Sequence, residues 1–282
     1  MKYMTAAQAV QLIESGDSIY IQGSTSVPEV LSQALADRGN ELKDVTIYAA
    51  FAVGRCEAPY CRPEYKDAFN VKSLFVANNV RRWLADGYGS TIPAFLGEIP
   101  GLFRDGTLPV DAVFLNVSPP NAEGYCSFGI SADLAVSAVE CARKIIVQVN
   151  KAMPFSYGDA MIHVSRIDAA VEVDDPLVEV PTATPSEIDT AIGRHIAEMI
   201  PDGATLQIGV GGMAEGKILA VVIIVVIRIF GSGFLFGGWL LFFLSLCRAP
   251  VDKSGKPWYN REKIERFGRK DEWNTEFSGK QG

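Results

Sequence analysis

Histidine is almost missing from this chain: His163 and His195 are the only two in 282 residues. Five cysteines stand at 56, 61, 126, 141 and 247. Cys56 and Cys61 are separated by four residues, a spacing outside the usual zinc patterns, so no metal is expected. An odd number of cysteines reads as reduced thiols, in keeping with a cytoplasmic protein. Basic residues are also in deficit, 26 Lys and Arg against 33 Asp and Glu, for a net charge of −7. Without a basic field to neutralise phosphates, nucleic acid is excluded as a partner. The N-terminal MKYMTAAQAVQLIESGD has acidic residues and helical patterning, and lacks the continuous apolar run of a secretion signal.

What is present is an alternation of strands and helices. Thr5 caps a predicted helix over Ala6–Ser15, stopped by Gly16. Ser18–Gln22 (SIYIQ) predicts a strand that enters Gly23-Ser24-Thr25-Ser26. A helix begins at Pro28 and stops at Gly39, and a second strand covers Val45–Ala50. Strand, glycine turn, helix, strand is a βαβ unit and calls for a parallel sheet. Further strands are predicted at Ser73–Ala77, Ala112–Val117, Lys144–Val149 and Ala169–Val173. A helix is predicted at Asp133–Ala142, and Ser90–Phe103 holds only short helical turns, broken by Pro93, Gly97 and Pro100. Runs such as KIIVQV are apolar on both faces, as a sheet covered by helices requires. The predicted fold class is therefore α/β, a layered and mostly parallel sheet with helices on both faces. Residues 1–180 form its domain, and Pro176, Pro181 and Pro185 punctuate a linker.

A second unit then starts to repeat the first. Leu12, Ile13, Gly16, Ile19 and Ile21 match Met199, Ile200, Gly203, Leu206 and Ile208, each 187 positions on. Internal duplication accounts for this, as does the general likeness of any two α/β beginnings. The repeat stops quickly. Ile218–Ile227 is unbroken apolar sequence, and Ile229–Cys247 holds no charge over nineteen residues. About 20 apolar residues cross a bilayer, so membrane contact through 218–247 is an expectation, against the bland alternative of a buried helix. From Glu215 onward eleven basic residues face seven acidic ones. A basic flank favours the cytoplasmic side, where the preceding domain also belongs, so a single span is not self-consistent.

Three segments following strands carry chemistry. Gly209-Val210-Gly211-Gly212 can aim backbone N–H groups at a phosphate. It is not GxGxxG and has no acidic ribose partner, which disfavours a nicotinamide dinucleotide. Asn116–Asp133 (NVSPPNAEGYCSFGISAD) leaves a strand through Ser118, the edge where ligands bind in open α/β sheets, but an ordinary Pro/Gly turn accounts for it equally. Val149–Val164 carries Tyr157, Gly158 and His163, the last more simply a satisfied core histidine than a catalyst. No catalytic residue can be assigned from spacing.

At these loops the chain resembles the acetyl-CoA hydrolase/transferase family, of the 4-hydroxybutyrate CoA-transferase and butyryl-CoA:acetate CoA-transferase type. The resemblance rests on IYIQGSTSVPEVLSQALADRGNELKDVTIY, NVSPPNAEGYCSFGISADL, VNKAMPFSYGDAMIHVSRIDAAVEVDDPLVEVP and IPDGATLQIGVGGM, in the family's order over residues 1 to about 213. It implies two similar α/β domains, coenzyme A as ligand, and as partners an acyl-CoA and a short-chain carboxylate such as acetate or 4-hydroxybutyrate. It also implies that Gly209, Val210, Gly211, Gly212 and Met213 contact coenzyme A, and that Gly23, Ser24, Ser118, Tyr157 and Gly158 lie in the substrate pocket. In the family a glutamate of the second domain attacks the thioester carbonyl and expels CoA as thiolate, giving an acyl–glutamyl anhydride. CoA thiolate then attacks the glutamyl carbonyl, releases the acid and leaves a glutamyl–CoA thioester.

This sequence departs from that pattern after Met213. No glutamate stands between Glu215 and Glu262, where the family pattern places the nucleophile. The expected layout is a CoA-transferase N-terminal domain at 1–180, a truncated start of the second domain at 181–216, an apolar and membrane-compatible segment at 217–247 and a basic polar tail at 248–282. The expected activity is CoA transfer by family and inactivity in this chain. The alternatives are a membrane-anchored binding module without catalysis and an acetyl-CoA hydrolase. An apolar face of the first domain left uncovered would favour self-association, so a homo-oligomer is also expected.

Overall fold

Strand residues sort their side chains to two faces, and this chain has apolar residues ready for both. In the computed structural model, which describes residues 1–52, 58–179 and 186–200, the elements in chain order are α1 (Ala6–Ala9), β1 (Ser18–Ile21), α2 (Glu29–Ala36), β2 (Val45–Ala49), β3 (Phe69–Ser73), α3 (Asn78–Ala85), β4 (Ser90–Thr91), α4 (Ile99–Arg104), β5 (Ala112–Val117), β6 (Tyr125–Ser127), α5 (Ala135–Cys141), β7 (Lys144–Asn150), β8 (Met161–His163), β9 (Ala169–Val173) and α6 (Glu187–Glu198). Seven strands form one parallel sheet in the order β4-β3-β2-β1-β5-β7-β9, and β6 pairs antiparallel with β8 outside it. The predicted parallel α/β sheet is thus observed. The chain divides into two compact units, Met1–Val180 and Pro181–Gly282. All the strands belong to the first; α6 is the one element described in the second.

One face of the sheet presents Ile19, Ile21, Phe114 and Ile146 to Val10, Leu31 and Leu35 from the α1–α2 side. The other presents Tyr20, Val113, Leu115 and Val147 to Ile99 and Phe103 of α4 and to Ala135 and Ala138 of α5. Each fully buried Leu, Ile or Phe contributes about 1.5–3 kcal/mol, so the two layers supply most of the driving force. Strands β1 to β4 run outward to one side, while β5, β7 and β9 run to the other. The order therefore reverses between β1 and β5, and the turns leaving those two strands open a crevice there.

Several elements differ from expectation. Thr5 does cap α1 with a capping box: Gln8 N donates to Thr5 Oγ1 at 3.2 Å and Thr5 N donates to Gln8 Oε1 at 3.0 Å. The helix ends at Ala9 and passes into a 3₁₀ turn at Val10–Leu12, rather than reaching Ser15. Arg38, just beyond α2, donates to the carbonyls of Val10 and Ile13 and takes the place of the helical N–H partners there. β3 lies at Phe69–Ser73, not at Ser73–Ala77. Next to the two-residue edge strand β4, this position needs one buried face only; Phe69 and Val71 supply it while Asn70 is exposed. The more apolar SLFVA instead leaves the sheet, with Phe75 exposed. Polar α3 (NNVRRWLA), whose Val80, Trp83 and Leu84 share one core-facing side, and the short β6–β8 pair were not among the predicted elements. The predicted apolar segment at 217–247 and basic tail at 248–282 lie outside the described residues. Among the described residues no helix is long and apolar enough to cross a membrane.

Candidate functional site

The turn after β1 has little room. At Gly23 a Cβ would stand 2.5 Å from the Phe51 carbonyl oxygen and 2.9 Å from Ala50 Cβ, so only glycine fits without displacement. Ser24 follows with φ +57°, a left-handed conformation rare for a non-glycine residue, and its N–H donates to the Phe51 carbonyl. The β1 and β2 loops are thereby locked together at the C-terminal edge of the sheet. Gln22, fully buried, ties the reversal point to its neighbours: Nε2 donates to the carbonyls of Ser131 (2.6 Å) and Phe128 (3.2 Å), and Oε1 accepts from Asn116 N (2.7 Å).

Helix α2 stands over this edge with a cavity on either side. The first, about 350 Å³, lies beyond β1 and β2 and is lined in part by Gln22, Ser32, Asn79, Tyr60 and Arg62. Ser32 Oγ and Asn79 Oδ1 are buried and have no hydrogen-bond partner among the described residues. Arg62 is exposed and forms no ion pair among the described residues. The second cavity, about 570 Å³, lies beyond β5 and β7 and is lined in part by Asn116, Gln148, Asn150 and Asp175. Asn116 and Gln148 are register partners across β5 and β7, and Gln148 Oε1 accepts from Val30 N (3.2 Å) in the first turn of α2. Val27, Glu29 and Gln33 line both cavities.

The expected pocket residues separate. Gly23 and Ser24 shape the turn at the reversal point. Ser118 is buried, and its hydroxyl accepts from Ser127 N (2.9 Å) and donates to the Pro119 carbonyl (3.0 Å). Ser127 Oγ in turn donates to the Ser156 carbonyl and accepts from Ser156 N and Gly129 N, which stitches three loops together. Tyr157 is 80% exposed against Phe155, and Gly158 has φ +92° with open space around it. None of these five residues lines either cavity. His163 bonds Ser165 through Nδ1 (2.8 Å) beside the Tyr125 ring, a local turn contact rather than a core position. Gly209, Val210, Gly211, Gly212 and Met213 lie outside the described residues.

The carboxamides and Arg62 were not singled out from sequence. Their signal was present: Gln22, Asn116 and Gln148 each interrupt an apolar run near the C-terminal end of a buried strand, in SIYIQ, AVFLNV and KIIVQVN. A polar side chain there is costly unless it bonds to something. Among the described residues no group of three or more His, Cys, Asp or Glu is placed to hold a metal. Cys61, Cys126 and Cys141 are free thiols. Burial pushes Cys61 up to about 12 and Cys126 up to about 11, which leaves both protonated and unreactive near neutrality.

Known proteins resemble the chain over the same region. The family described as "Acetyl-CoA hydrolase/transferase N-terminal domain" matches residues 1–181. The 4-hydroxybutyrate coenzyme A transferase of Clostridium kluyveri is 36% identical over 218 residues, covering 77% of this chain and 50% of that protein. The butyryl-CoA:acetate CoA-transferase of Anaerostipes caccae is 31% identical, covering 78% of this chain and 50% of that one. Among solved structures, RipA from Yersinia pestis superposes with a TM-score of 0.70 at 32% identity, covering 75% of this chain and 51% of that one. The 4-hydroxybutyrate CoA-transferase of Porphyromonas gingivalis gives 0.65 at 32%, covering 80% and 51%. The chain thus spans about half the length of the relatives it matches, and it belongs to the acetyl-CoA hydrolase/transferase family.

Proposed function

We propose that this chain carries the first domain of a CoA-transferase that exchanges coenzyme A between a short-chain acyl-CoA and a carboxylic acid such as acetate or 4-hydroxybutyrate. One observation carries the reading: the cavity beyond β1 and β2 joins the guanidinium of Arg62, which has no ion pair among the described residues, to the Ser32 hydroxyl, which has no partner among them. That set suits a small carboxylate. Arg62 supplies charge-assisted donors, Ser32 can donate its hydroxyl proton, and the apolar Ala50, Ala52 and Val27 accept a short chain. The 350 Å³ cavity has ample room for a short-chain acid.

Chemistry in this family, by the resemblance, needs a carboxylate nucleophile. Residues 181–216 would begin the second domain, with Gly209–Met213 as its coenzyme A loop, and no glutamate follows between Glu215 and Glu262. The chain therefore binds acid without transferring CoA. Two measurements test this. Titrating ¹³C-labelled acetate or 4-hydroxybutyrate should show saturable binding that Arg62→Gln weakens at least tenfold; equal binding by the variant removes the pocket from the reading. Incubating the full chain with butyryl-CoA and labelled acetate should give no acetyl-CoA above buffer. Appreciable label in acetyl-CoA would show that the glutamate is not needed or stands elsewhere.

A further inference from the structure

We infer that the cavity beyond β5 and β7 is a binding site for a small neutral molecule bearing an amide group. The argument begins with an unmet hydrogen bond. Asn116 is 5% exposed, lines this cavity, and its Oδ1 has no partner. Buried carbonyls in folded proteins are almost always bonded, so an unpaired one on a residue that lines a cavity points to a group supplied from outside. The neighbouring amides narrow what that group is. Asn150 is fully engaged, with Nδ2 donating to the Asp175 carbonyl (3.0 Å) and Oδ1 accepting from Ala152 N (3.0 Å). Gln148 Oε1 is taken by Val30 N. Among the buried amides of the lining, what remains is one acceptor, the Asn116 carbonyl, and the amide N–H groups of Asn116 and Gln148. The same valences are on offer whichever way the Asn116 amide is turned.

An amide answers both needs: its N–H donates to Asn116 while its carbonyl accepts from Asn116 or Gln148. A carboxylate can only accept. It would leave the Asn116 carbonyl unpaired, and it would meet the acidic Asp37 and Asp175 in a lining that holds no lysine or arginine. Val30, Ala34, Leu177 and Val178 form an apolar wall for the rest of the molecule. At about 570 Å³ the cavity is within the usual range for small-molecule sites, roughly 300–1,000 Å³. The site does not depend on the carboxylate pocket and stands even if Arg62 has no role.

The test uses the full chain and three probes: butyramide, pantetheine (a neutral molecule with two amides) and butyrate. Saturation-transfer NMR or calorimetry should show butyramide or pantetheine binding, and the tighter of the two identifies a free short amide or a pantetheine arm as the source. Asn116→Leu should weaken that binding at least tenfold without lowering the melting temperature, since the carbonyl it removes has no protein partner. Ala34→Phe, which fills the cavity from α2, should do the same and decides the matter if Asn116→Leu fails to fold. Arg62→Gln should leave amide binding unchanged, which separates this site from the carboxylate pocket. Failure of both amides to bind overturns the inference. So does amide binding that survives Ala34→Phe, or butyrate binding that is as tight as butyramide and equally sensitive to Asn116→Leu.

Discussion

The two edges of the seven-stranded sheet are built on opposite principles. At the N-terminal edge polar groups answer one another across strands. Asp111 Oδ2 accepts from Ser18 N (2.9 Å), and Asp111 Oδ1 pairs with Arg143. Lys144 Nζ meets Asp17 at 2.8 Å, and Asp168 Oδ2 accepts from Ile145 N at 2.7 Å. At the C-terminal edge Gln22 and Asn150 are bonded, but Ser26, Ser32, Asn79 and Asn116 each keep a buried oxygen without a partner among the described residues. A sheet edge that only had to be stable would resemble the first kind, because each unmet buried group costs about 1–3 kcal/mol. The second kind is what the two proposed binding sites require. The contrast is the strongest physical argument that function sits where the strands end.

Substitutions can break or sharpen this contrast. The largest effect is expected at the N-terminal edge. Asp111→Ala leaves the buried Ser18 N–H without its partner and removes the pairing with the exposed Arg143, and should cost about 2 kcal/mol in urea unfolding, nearly all of it from Ser18. If instead it costs no more than Asn116→Leu, the two edges do not differ in the way claimed. A comparable effect is expected from Gly23→Ala at the C-terminal edge. Its Cβ must displace the Phe51 carbonyl and Ala50, a strain of roughly 1–3 kcal/mol. Because that strain sits at the junction of the β1 and β2 loops, acetate binding should weaken with it; an unchanged affinity would separate the turn from the cavity.

The smallest effect concerns pH. Cys61, beside Arg62, is pushed up by burial from 9.0 to about 12. The folded state then holds this proton more tightly than the unfolded chain does. Its contribution is complete below about pH 9 and is lost as pH rises toward 12. Unfolding free energy should therefore decline as pH rises above about 9, and Cys61→Ala should flatten the decline. An identical slope in the variant would assign the alkaline loss to other groups.

Much of the fold was legible without coordinates. SIYIQ, VTIYAA, AVFLNV, KIIVQV and AAVEV are apolar on both faces, and only a covered parallel sheet accommodates such strands. The family was legible in the loops that follow them. Strand β3, next to the edge strand β4, was misplaced because a half-solvated strand gives a weaker apolar signal than the loop beside it. The site was the least legible part. Ser118 and Tyr157 occur in the loops that carry the family resemblance, yet one is spent on holding Ser127 and the other faces solvent.

The sequence by itself determined the strand–helix alternation, the family, and the absence of a glutamate between Glu215 and Glu262, because these are properties of order along the chain. Only the tertiary structure decided which polar residues face a cavity and which are consumed in bonding. Gln22, Asn116 and Gln148 are alike in sequence, as single amides near the ends of apolar strands. In space Gln22 makes three bonds, Gln148 keeps part of its amide free, and Asn116 is left with a buried carbonyl unpaired. That distinction depends on what packs against each one from distant parts of the chain, and no local pattern encodes it.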